Sequence, residues 1–284
     1  MARTHKTRCR IDQLLVDRGL CDDLRQAQAM IMAGQVIVDD VREDKAGTQV
    51  QADCRIRLRG CDIPYVSRGG LKLKEAIDAW GIDVSGKVAI DAGACTGGFT
   101  HCLLSQGCAL VYAVEVGFGQ LAGSLRQNPR VRNMERTNIS DVRPDQLDPQ
   151  PVLGVMDLSY LSLSVAVPVV SRLLKRDEPD RQVIALVKPL FEVPAPGPEL
   201  ARAQYRAALE RACASGTPES MAVNGLMASP VLGSSGTLEF LASFRPGPEV
   251  RDLDAMIEKA LDDGERILRD DHIRRSQGVI DSER

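Results

Sequence analysis

The hydrophobic and polar positions predict two regions of different architecture. In residues 1–60, apolar residues at helical spacing predict two short helices, the first ending near Gly19 and the second near Gly34. Segments 35–41 and 54–59 are rich in β-branched residues and bounded by turn residues, which predicts strands. This first region therefore predicts a small α+β module.

The second region alternates apolar runs with helical patterns, which is typical of an α/β domain with a mostly parallel sheet. The predicted strands are residues 88–91, 110–115, 131–135, 152–157, 183–188, 225–230 and 237–243. The predicted helices between them are residues 99–106, 119–127, 164–174 and 200–215. The expected organisation is a module over 1–60, a linker over 61–66, an α/β domain over 67–249, and a C-terminal helix and tail over 250–284.

Composition narrows the class of protein. The chain has 284 residues, 44% of them hydrophobic and 26% charged, with a net charge of -3, as expected of a soluble globular protein. No apolar run approaches the roughly 20 residues of a membrane helix, and the basic N-terminus precedes no apolar signal segment. The eight cysteines form no Cys-x-x-Cys pair and there are three histidines, so we expect no metal site, no disulfide framework and a cytoplasmic location.

Basic residues cluster in the first region despite the overall acidity. They are Arg3, Lys6, Arg8 and Arg10 at the start, and Arg55, Arg57 and Arg59 along a predicted strand. Alternate residues of a strand share one face, and a basic face can follow a phosphate backbone. A solvated strand face explains the same alternation, so charge alone leaves both interpretations open.

Residues 87–99 carry the most informative local pattern, a strand ending at Asp91, then a loop of small residues, then a helix. The loop contains Gly93, Ala94, Thr96, Gly97 and Gly98. Glycines let backbone approach a ligand closely at the carboxyl end of the strands, where open α/β sheets bind cofactors. The spacing differs from the dinucleotide fingerprint G-x-G-x-x-G, which favours a methyl-donor site. A nicotinamide-type loop or a purely structural turn is the alternative.

Two polar residues further along would complete such a cofactor site. Glu115 ends the next predicted strand, where an acid can hold both ribose hydroxyls, and Asn138 follows the third strand, where it can contact an adenine edge. Taken alone, Asp91 is equally a capping residue and Asn138 a turn former. We interpret Cys95 and Cys102 as small buried residues.

Charged residues also interrupt apolar segments. Asp157 and Lys188 close predicted strands, Glu239 lies inside one, and Lys72 stands near the start of the α/β region. A charge embedded in an apolar run costs too much free energy to be left unpaired. An ordinary surface cation, or an edge-strand residue facing water, is the alternative for each residue taken singly.

From about Arg10 to Phe244 the chain resembles the TlyA family of RNA 2'-O-methyltransferases, relatives of the FtsJ-type ribose methylases. The family's Lys-Asp-Lys-Glu tetrad falls on Lys72, Asp157, Lys188 and Glu239. The resemblance implies a Rossmann-like fold, S-adenosylmethionine as cofactor, and cytidines of small- and large-subunit ribosomal RNA as substrates.

The first region resembles the small RNA-binding fold shared by several pseudouridine synthases, tyrosyl-tRNA synthetases and a ribosomal small-subunit protein. The matching frame runs from Arg10-Ile-Asp-Gln-Leu-Leu to Gly34-Gln-Val-Ile-Val. The RNA contacts that we expect are Arg8, Arg10, Arg18, Arg25 and Arg68.

The tetrad suits ribose methylation chemically. A ribose hydroxyl is a poor nucleophile, and a lysine removes its proton only if burial or a second cation lowers the lysine pKa. We expect Lys188 to be the base and Lys72 its cationic neighbour, with Asp157 and Glu239 orienting the two lysines. Most of the rate acceleration is expected from alignment of the reactants.

Three departures from the family pattern bear on substrate choice. Asp23-Leu24 replaces the Ser-Arg pair that usually opens the second helix of the RNA-binding fold, and Glu115 replaces an Asp. The loop 193–199 contains three prolines and no lysine, where the family has a Gly- and Lys-rich loop. A non-catalytic RNA-binding assembly factor is therefore a second hypothesis, and the haemolysin label attached to the family is a third. We expect a monomer.

Overall fold

The computed structural model describes residues 8–58, 64–194, 200–248 and 252–276, except 19, 22, 33, 40, 53, 55, 160, 234 and 235, and except the side chains of 57, 58 and 272–276. The chain forms two compact units, the first ending at Pro64 and the second beginning at Tyr65. Several predicted features lie outside the described residues: Arg3, Lys6, Arg55, Arg59, the linker residues 61–63, the loop residues 195–199, and the tail after Ser276.

The first unit is a small α+β module. Its elements are β1 (Arg8–Arg10), α1 (Ile11–Asp17), α2 (Leu24–Met32), β2 (Val36–Val38), β3 (Val41–Glu43), β4 (Gln49–Gln51) and β5 (Ile56–Leu58). β1 pairs antiparallel with β4, and β2 lies between β3 and β5 in an antiparallel sheet. The apolar face predicted for the first helix is confirmed, since Ile11 and Leu15 are fully buried. In the second helix Ala27 and Ile31 are buried in the same core, but Leu24 and Met32, predicted on the same face, are exposed.

The second unit is built on a seven-stranded sheet. Its elements are α3 (Gly69–Ala79), β6 (Val88–Ala92), α4 (Gly98–Ser105), β7 (Leu110–Val114), α5 (Gly123–Arg126), β8 (Val131–Met134), β9 (Leu153–Met156), α6 (Leu163–Leu173), β10 (Gln182–Val187), α7 (Pro189–Glu192), α8 (Arg202–Cys213), β11 (Met221–Ala228), β12 (Phe240–Pro246) and α9 (Leu253–Ser276). The strand order is β11-β12-β10-β9-β6-β7-β8.

Strand direction confirms the predicted α/β class. β10, β9, β6, β7 and β8 are parallel to one another, whereas β12 is antiparallel to both β10 and β11. All residues of β7 and β10 are buried, as expected for strands covered on both faces. The edge at which the five parallel strands end is called the carboxyl edge below.

The second unit differs from the predicted elements in five places. α3 and α7 were not predicted, α5 is much shorter than the expected 119–127, β11 starts four residues before the expected 225, and β12 starts at Phe240 rather than at 237. Gly119 has a φ of +70°, a backbone conformation that does not continue a right-handed helix, which places the start of α5 later. Among the described residues, no helix has the length and hydropathy needed to cross a membrane.

Candidate active site at the carboxyl edge

Asp157 and Lys188 form an ion pair at the carboxyl edge. Asp157 follows β9, Lys188 follows β10, and these strands are parallel neighbours. Lys188 Nζ lies 2.6 Å from Asp157 Oδ1 and donates a 3.1 Å hydrogen bond to Ser159 Oγ. The Lys188 and Asp157 side chains are 18% and 27% exposed, so the pair can be reached from solvent. Ser159 was not predicted.

Lys72 and Glu239 form a second pair, which is buried. Lys72 Nζ on α3 lies 2.5 Å from Glu239 Oε2, and the two residues are 8% and 6% exposed. The four predicted catalytic residues therefore form two lysine–carboxylate pairs, each lysine held by its own acid. Removing one partner of a buried pair leaves an uncompensated charge, so Lys72 and Glu239 depend on each other. Arg68 stands directly before α3 and is partly exposed.

Glu239 lies at the start of β12, not inside a strand as predicted. Because β12 runs antiparallel to β10, with Phe240 opposite Val187, its first residues lie at the carboxyl edge. The preceding turn fixes Glu239, since the Ser229 N–H donates a 2.9 Å hydrogen bond to the Glu239 carbonyl. A Cβ on Gly233 would lie 2.6 Å from Glu239 Oε1, so this glycine makes room for the carboxylate.

The glycines of the predicted cofactor loop pack against other parts of the second unit. Gly93 has a φ of +83°, and a Cβ there would lie 2.5 Å from the Asp157 carbonyl oxygen. A Cβ on Gly97, whose φ is +98°, would lie 2.3 Å from Leu125 Cδ1. A Cβ on Gly98 would lie 2.2 Å from Ser67 Oγ. The missing side chains therefore let the loop pack closely, and at Gly93 they bring it against the backbone of Asp157.

The other residues of the loop differ in exposure from one another. Ala94 is buried, and Thr96 is partly exposed. Cys95 between them is exposed and has a φ of +49°, so its prediction as a buried residue is wrong. Cys102 on α4 is buried, as predicted.

Asp91 is fully buried in β6 just before the loop. Thr100 Oγ1 donates a 2.7 Å hydrogen bond to its Oδ2, while Oδ1 is buried with no hydrogen-bond partner among the described residues. Burial raises the pKa of this carboxyl to about 7, and the nearby Asp157 and Glu115 carboxylates act in the same direction. Asp91 therefore titrates near neutral pH.

Glu115, directly after β7, holds two turns of the cofactor region together. Its Oε2 accepts a 3.0 Å hydrogen bond from the Cys95 N–H, and its Oε1 accepts a 2.8 Å bond from the Gly117 N–H. The carboxylate is thereby fixed between the loop after β6 and the loop after β7. Asn138 is exposed, and its side chain accepts a hydrogen bond from the Ser140 N–H, the geometry of a turn former.

The predicted RNA contacts of the first unit differ in their surroundings. Arg8 and Arg25 are exposed. Arg10 donates hydrogen bonds of 3.0 and 2.6 Å to the buried Asp12 carboxylate. These bonds are the main reason why the pKa of Asp12 falls to about 2. Arg18 donates to the carbonyl oxygens of Cys54 and Ala52. Arg10 and Arg18 therefore stabilise the module itself.

Glu192 is a site residue that sequence reasoning did not single out. It ends α7, is 3% exposed, and accepts hydrogen bonds from Ser162 Oγ and the Leu163 N–H, both 2.8 Å long. The only signal in the sequence was its place four residues after Lys188. Within the described part of the chain, no cluster of His, Cys, Asp or Glu side chains has the arrangement of a metal site.

The fold and the site together define a class of protein. A mostly parallel sheet, a glycine loop after β6, an acid after β7 and lysine–carboxylate pairs at the carboxyl edge are the features of a Rossmann-like methyltransferase. Here that unit follows a small α+β module.

Comparison with known proteins agrees with this class. The FtsJ-like methyltransferase family profile matches residues 65–205, and the S4 domain profile matches residues 9–56. A 16S/23S rRNA (cytidine-2'-O)-methyltransferase, TlyA, of Mycobacterium tuberculosis is 37% identical over 90% of this chain and 98% of its own. A proposed rRNA methyltransferase of Bacillus subtilis is 40% identical over 82% of this chain and 84% of its own.

A solved structure extends the likeness to the whole fold. A proposed hemolysin from Streptococcus thermophilus is similar with a TM-score of 0.73 at 32% identity, covering 94% of this chain and 99% of that chain. The chain belongs to the TlyA family, with an S4 domain followed by an FtsJ-like methyltransferase domain. It is a methyltransferase whose cofactor is S-adenosylmethionine.

Proposed function

We propose that this chain methylates ribose 2'-hydroxyls of ribosomal RNA, with cytidine as the target nucleoside. The observation that carries the proposal is the Lys188–Asp157 pair, which is open to solvent and directly beside the cofactor loop. The name of the Mycobacterium tuberculosis relative supports the substrate class. The S4 domain supports RNA as the partner.

The residues at the carboxyl edge fit S-adenosylmethionine. The Glu115 carboxylate accepts two backbone hydrogen bonds. Because a carboxylate has about four lone-pair positions, it can also accept hydrogen bonds from ribose hydroxyls. The small residues Gly93 and Ala94 leave space for a ligand at the end of β6. Asp91 Oδ1, at the same end of the strand, has no hydrogen-bond partner among the described residues. We propose these four residues, with Thr96, Gly97, Gly98 and Asn138, as the cofactor site. When bound, S-adenosylmethionine supplies an electrophilic methyl group on a sulfonium.

Lys188 is the proposed proton acceptor. Lys188 would act from its neutral amine form and take the proton of the ribose hydroxyl, which leaves the electron pair of the O–H bond on the oxygen for a bond to the methyl carbon. The bond between that carbon and the sulfonium sulfur would break at the same time, and its electron pair would stay on the sulfur of the departing demethylated cofactor. The ammonium that forms faces Asp157 at 2.6 Å and Ser159 at 3.1 Å, so this product of the proton transfer is stabilised in place. Alignment of the hydroxyl with the methyl group supplies most of the rate.

Lys72 and Glu239 have a different proposed role. Their pair is buried and each charge is compensated by the other, so its proposed role is to hold the start of β12 against α3 at the carboxyl edge. The S4 domain, through exposed residues such as Arg8 and Arg25, recruits the RNA. We further propose that the protein acts as a monomer on ribosomal RNA or ribosomal subunits in the cytoplasm, without a metal.

The test is transfer of labelled methyl from S-adenosylmethionine to ribosomal RNA and to ribosomal subunits that lack the modification. Wild type is compared with Lys188→Ala and with Lys175→Ala, a control lysine that is exposed after α6. We expect label in 2'-O-methyl nucleosides with wild type and with the control. Lys188→Ala should bind the cofactor normally and transfer no methyl.

Other outcomes separate the alternatives. Cofactor binding without incorporation into any ribosomal substrate would favour the non-catalytic assembly factor. Loss of cofactor binding in Lys188→Ala would refute Lys188 as the proton acceptor. Label in a base rather than in a ribose would refute the 2'-hydroxyl as the target.

A further inference from the structure

We infer that Glu192 is a positioning residue that sets the direction of the Lys188 amine by fixing the loop after β9 against the turn after β10. This inference rests on the proposed function, because it assigns Lys188 the proton transfer. Glu192 is buried, and none of its described hydrogen bonds is to the cofactor loop or to the Lys188–Asp157 pair.

Glu192 and Lys188 stand at the two ends of one tight turn. α7 is a single turn that begins directly after Lys188 and ends at Glu192. The Phe191 N–H donates to the Lys188 carbonyl at 2.9 Å, and the Val193 N–H donates to the Pro189 carbonyl at 3.2 Å. A displacement of Glu192 is therefore transmitted to Lys188 over four residues.

The segment opposite this turn is held at both of its ends. Near β9, Lys188 contacts Asp157 and Ser159. Near α6, Glu192 accepts the hydrogen bonds of Ser162 Oγ and the Leu163 N–H. Residues 157, 159, 162 and 163 are thus joined to the turn 188–192 by four side-chain contacts. The Leu163–Glu192 bond is buried, the Ser162–Glu192 bond is partly buried and the Lys188–Ser159 bond is exposed.

Burying a carboxylate at position 192 costs free energy. At 3% exposure, Glu192 has lost nearly all hydration, and only charge-assisted hydrogen bonds and the N-terminus of α6 offset that loss. Ser162 already caps α6 through the Ser164 N–H, so the helix has a cap without Glu192. What Glu192 adds is the connection between two segments that carry the reactive pair.

The test uses the full-length protein with Glu192→Gln, Ser162→Ala and the matched control Val170→Ala. Val170 is fully buried on α6, so its truncation destabilises the same helix without touching either segment. Four quantities are measured: kcat and KM on ribosomal RNA, cofactor Kd, and the acylation rate of Lys188 relative to the exposed Lys259 by mass spectrometry.

Glu192→Gln should lower kcat by about 100-fold, because misplacement by about 1 Å has that effect on an aligned reaction. The cofactor Kd should stay within about two-fold, and Lys188 acylation should accelerate, because its pairing with Asp157 loosens. Ser162→Ala should show a smaller defect of the same kind, and the double variant should be no worse than Glu192→Gln.

Three results would overturn the inference: kcat and Lys188 acylation equal to those of Val170→Ala, a weakened cofactor Kd, or a change in KM alone. If Glu192→Gln does not fold, Ser162→Ala carries the same readouts. If wild type methylates no RNA while Lys188 acylation still responds to Glu192→Gln, the proposed function fails and the positioning contact stands. The acylation readout thereby separates the two.

Discussion

Lys72 and Glu239 are 167 residues apart in sequence, yet Lys72 Nζ lies 2.5 Å from Glu239 Oε2 in the interior of the second unit. α3 supplies the lysine and the start of β12 supplies the acid. Both side chains are nearly fully buried, so each is the main source of charge compensation for the other.

Breaking this pair should destabilise the fold strongly. We expect Glu239→Ala to lower the free energy of unfolding by about 3 kcal/mol or more, because it leaves a buried ammonium without a partner. The double variant Lys72→Met, Glu239→Leu should recover most of that stability, since two apolar residues of similar size bury no charge. Urea unfolding measures both, and a double variant as unstable as the single one would contradict a mutual dependence.

Asp91 should give the fold a pH dependence between about pH 4 and pH 7. Its pKa is raised to about 7 in the folded state, so the native protein favours the protonated carboxyl and loses stability as pH rises through this window. Asp91→Asn should remove a loss on the order of 2 kcal/mol between pH 5 and pH 8. Urea unfolding at both pH values is the measurement. An unchanged pH dependence in Asp91→Asn would assign the effect to another group.

Asp12 should act in the opposite direction in the first unit. Its pKa falls to about 2, chiefly through the hydrogen bond from Arg10, so the stability it contributes is present above about pH 4 and is lost as pH falls toward 2. In Asp12→Asn, the loss of stability between about pH 4 and pH 2 should be smaller, as measured by fluorescence or circular dichroism during an acid titration. A loss that stays unchanged in Asp12→Asn would show that other carboxylates govern it.

Comparing Arg10→Ala with Asp12→Asn separates two roles of Arg10 in RNA binding. Because Arg10 supports the module through Asp12, both variants should weaken RNA affinity equally and leave its salt dependence unchanged. A direct phosphate contact would make Arg10→Ala the weaker binder and would reduce the salt slope by about one. Affinity measured across a salt series decides between them.

Gly98 should be intolerant of a side chain. A Cβ there would lie 2.2 Å from Ser67 Oγ and 3.0 Å from the Gly70 backbone nitrogen, so Gly98→Ala must shift α3 and cost about 1–3 kcal/mol. Gly123 on α5 is the matched control, because nothing lies within 4 Å of its Cβ position. Gly123→Ala should be neutral or gain up to about 1 kcal/mol in thermal unfolding. Equal effects at the two positions would contradict the packing role of Gly98.

The sequence predicted best what depends on continuous burial. β7 and β10 are apolar at nearly every position because they are covered on both faces, so their ends, and with them Glu115 and Lys188, were located to within one residue. The same pattern of continuously apolar strands predicted the fold class and placed the cofactor loop at the end of β6. The family resemblance then selected which charged residues matter.

Features that depend on tertiary contacts were missed. α3 opens with Gly69-Gly70, a poor helical start by propensity, and forms because packing against α4 outweighs it. Glu239 was predicted inside a strand because apolar residues flank it, and only the structure shows that it directly precedes β12, with Gly233 making room for its carboxylate. Glu192 has partners about thirty residues away in the chain, which no local pattern encodes.

The position of β12 fixes the order in which this site can be completed during synthesis. β12 lies between β10 and β11, so β11, although made earlier, has no sheet partner until β12 leaves the ribosome and inserts. Lys72 emerges long before Glu239 and meets its acid only at that step. A nascent chain thus carries the cofactor loop well before it carries a complete site. The strand that completes the sheet, β12, is also the one that brings Glu239 to Lys72.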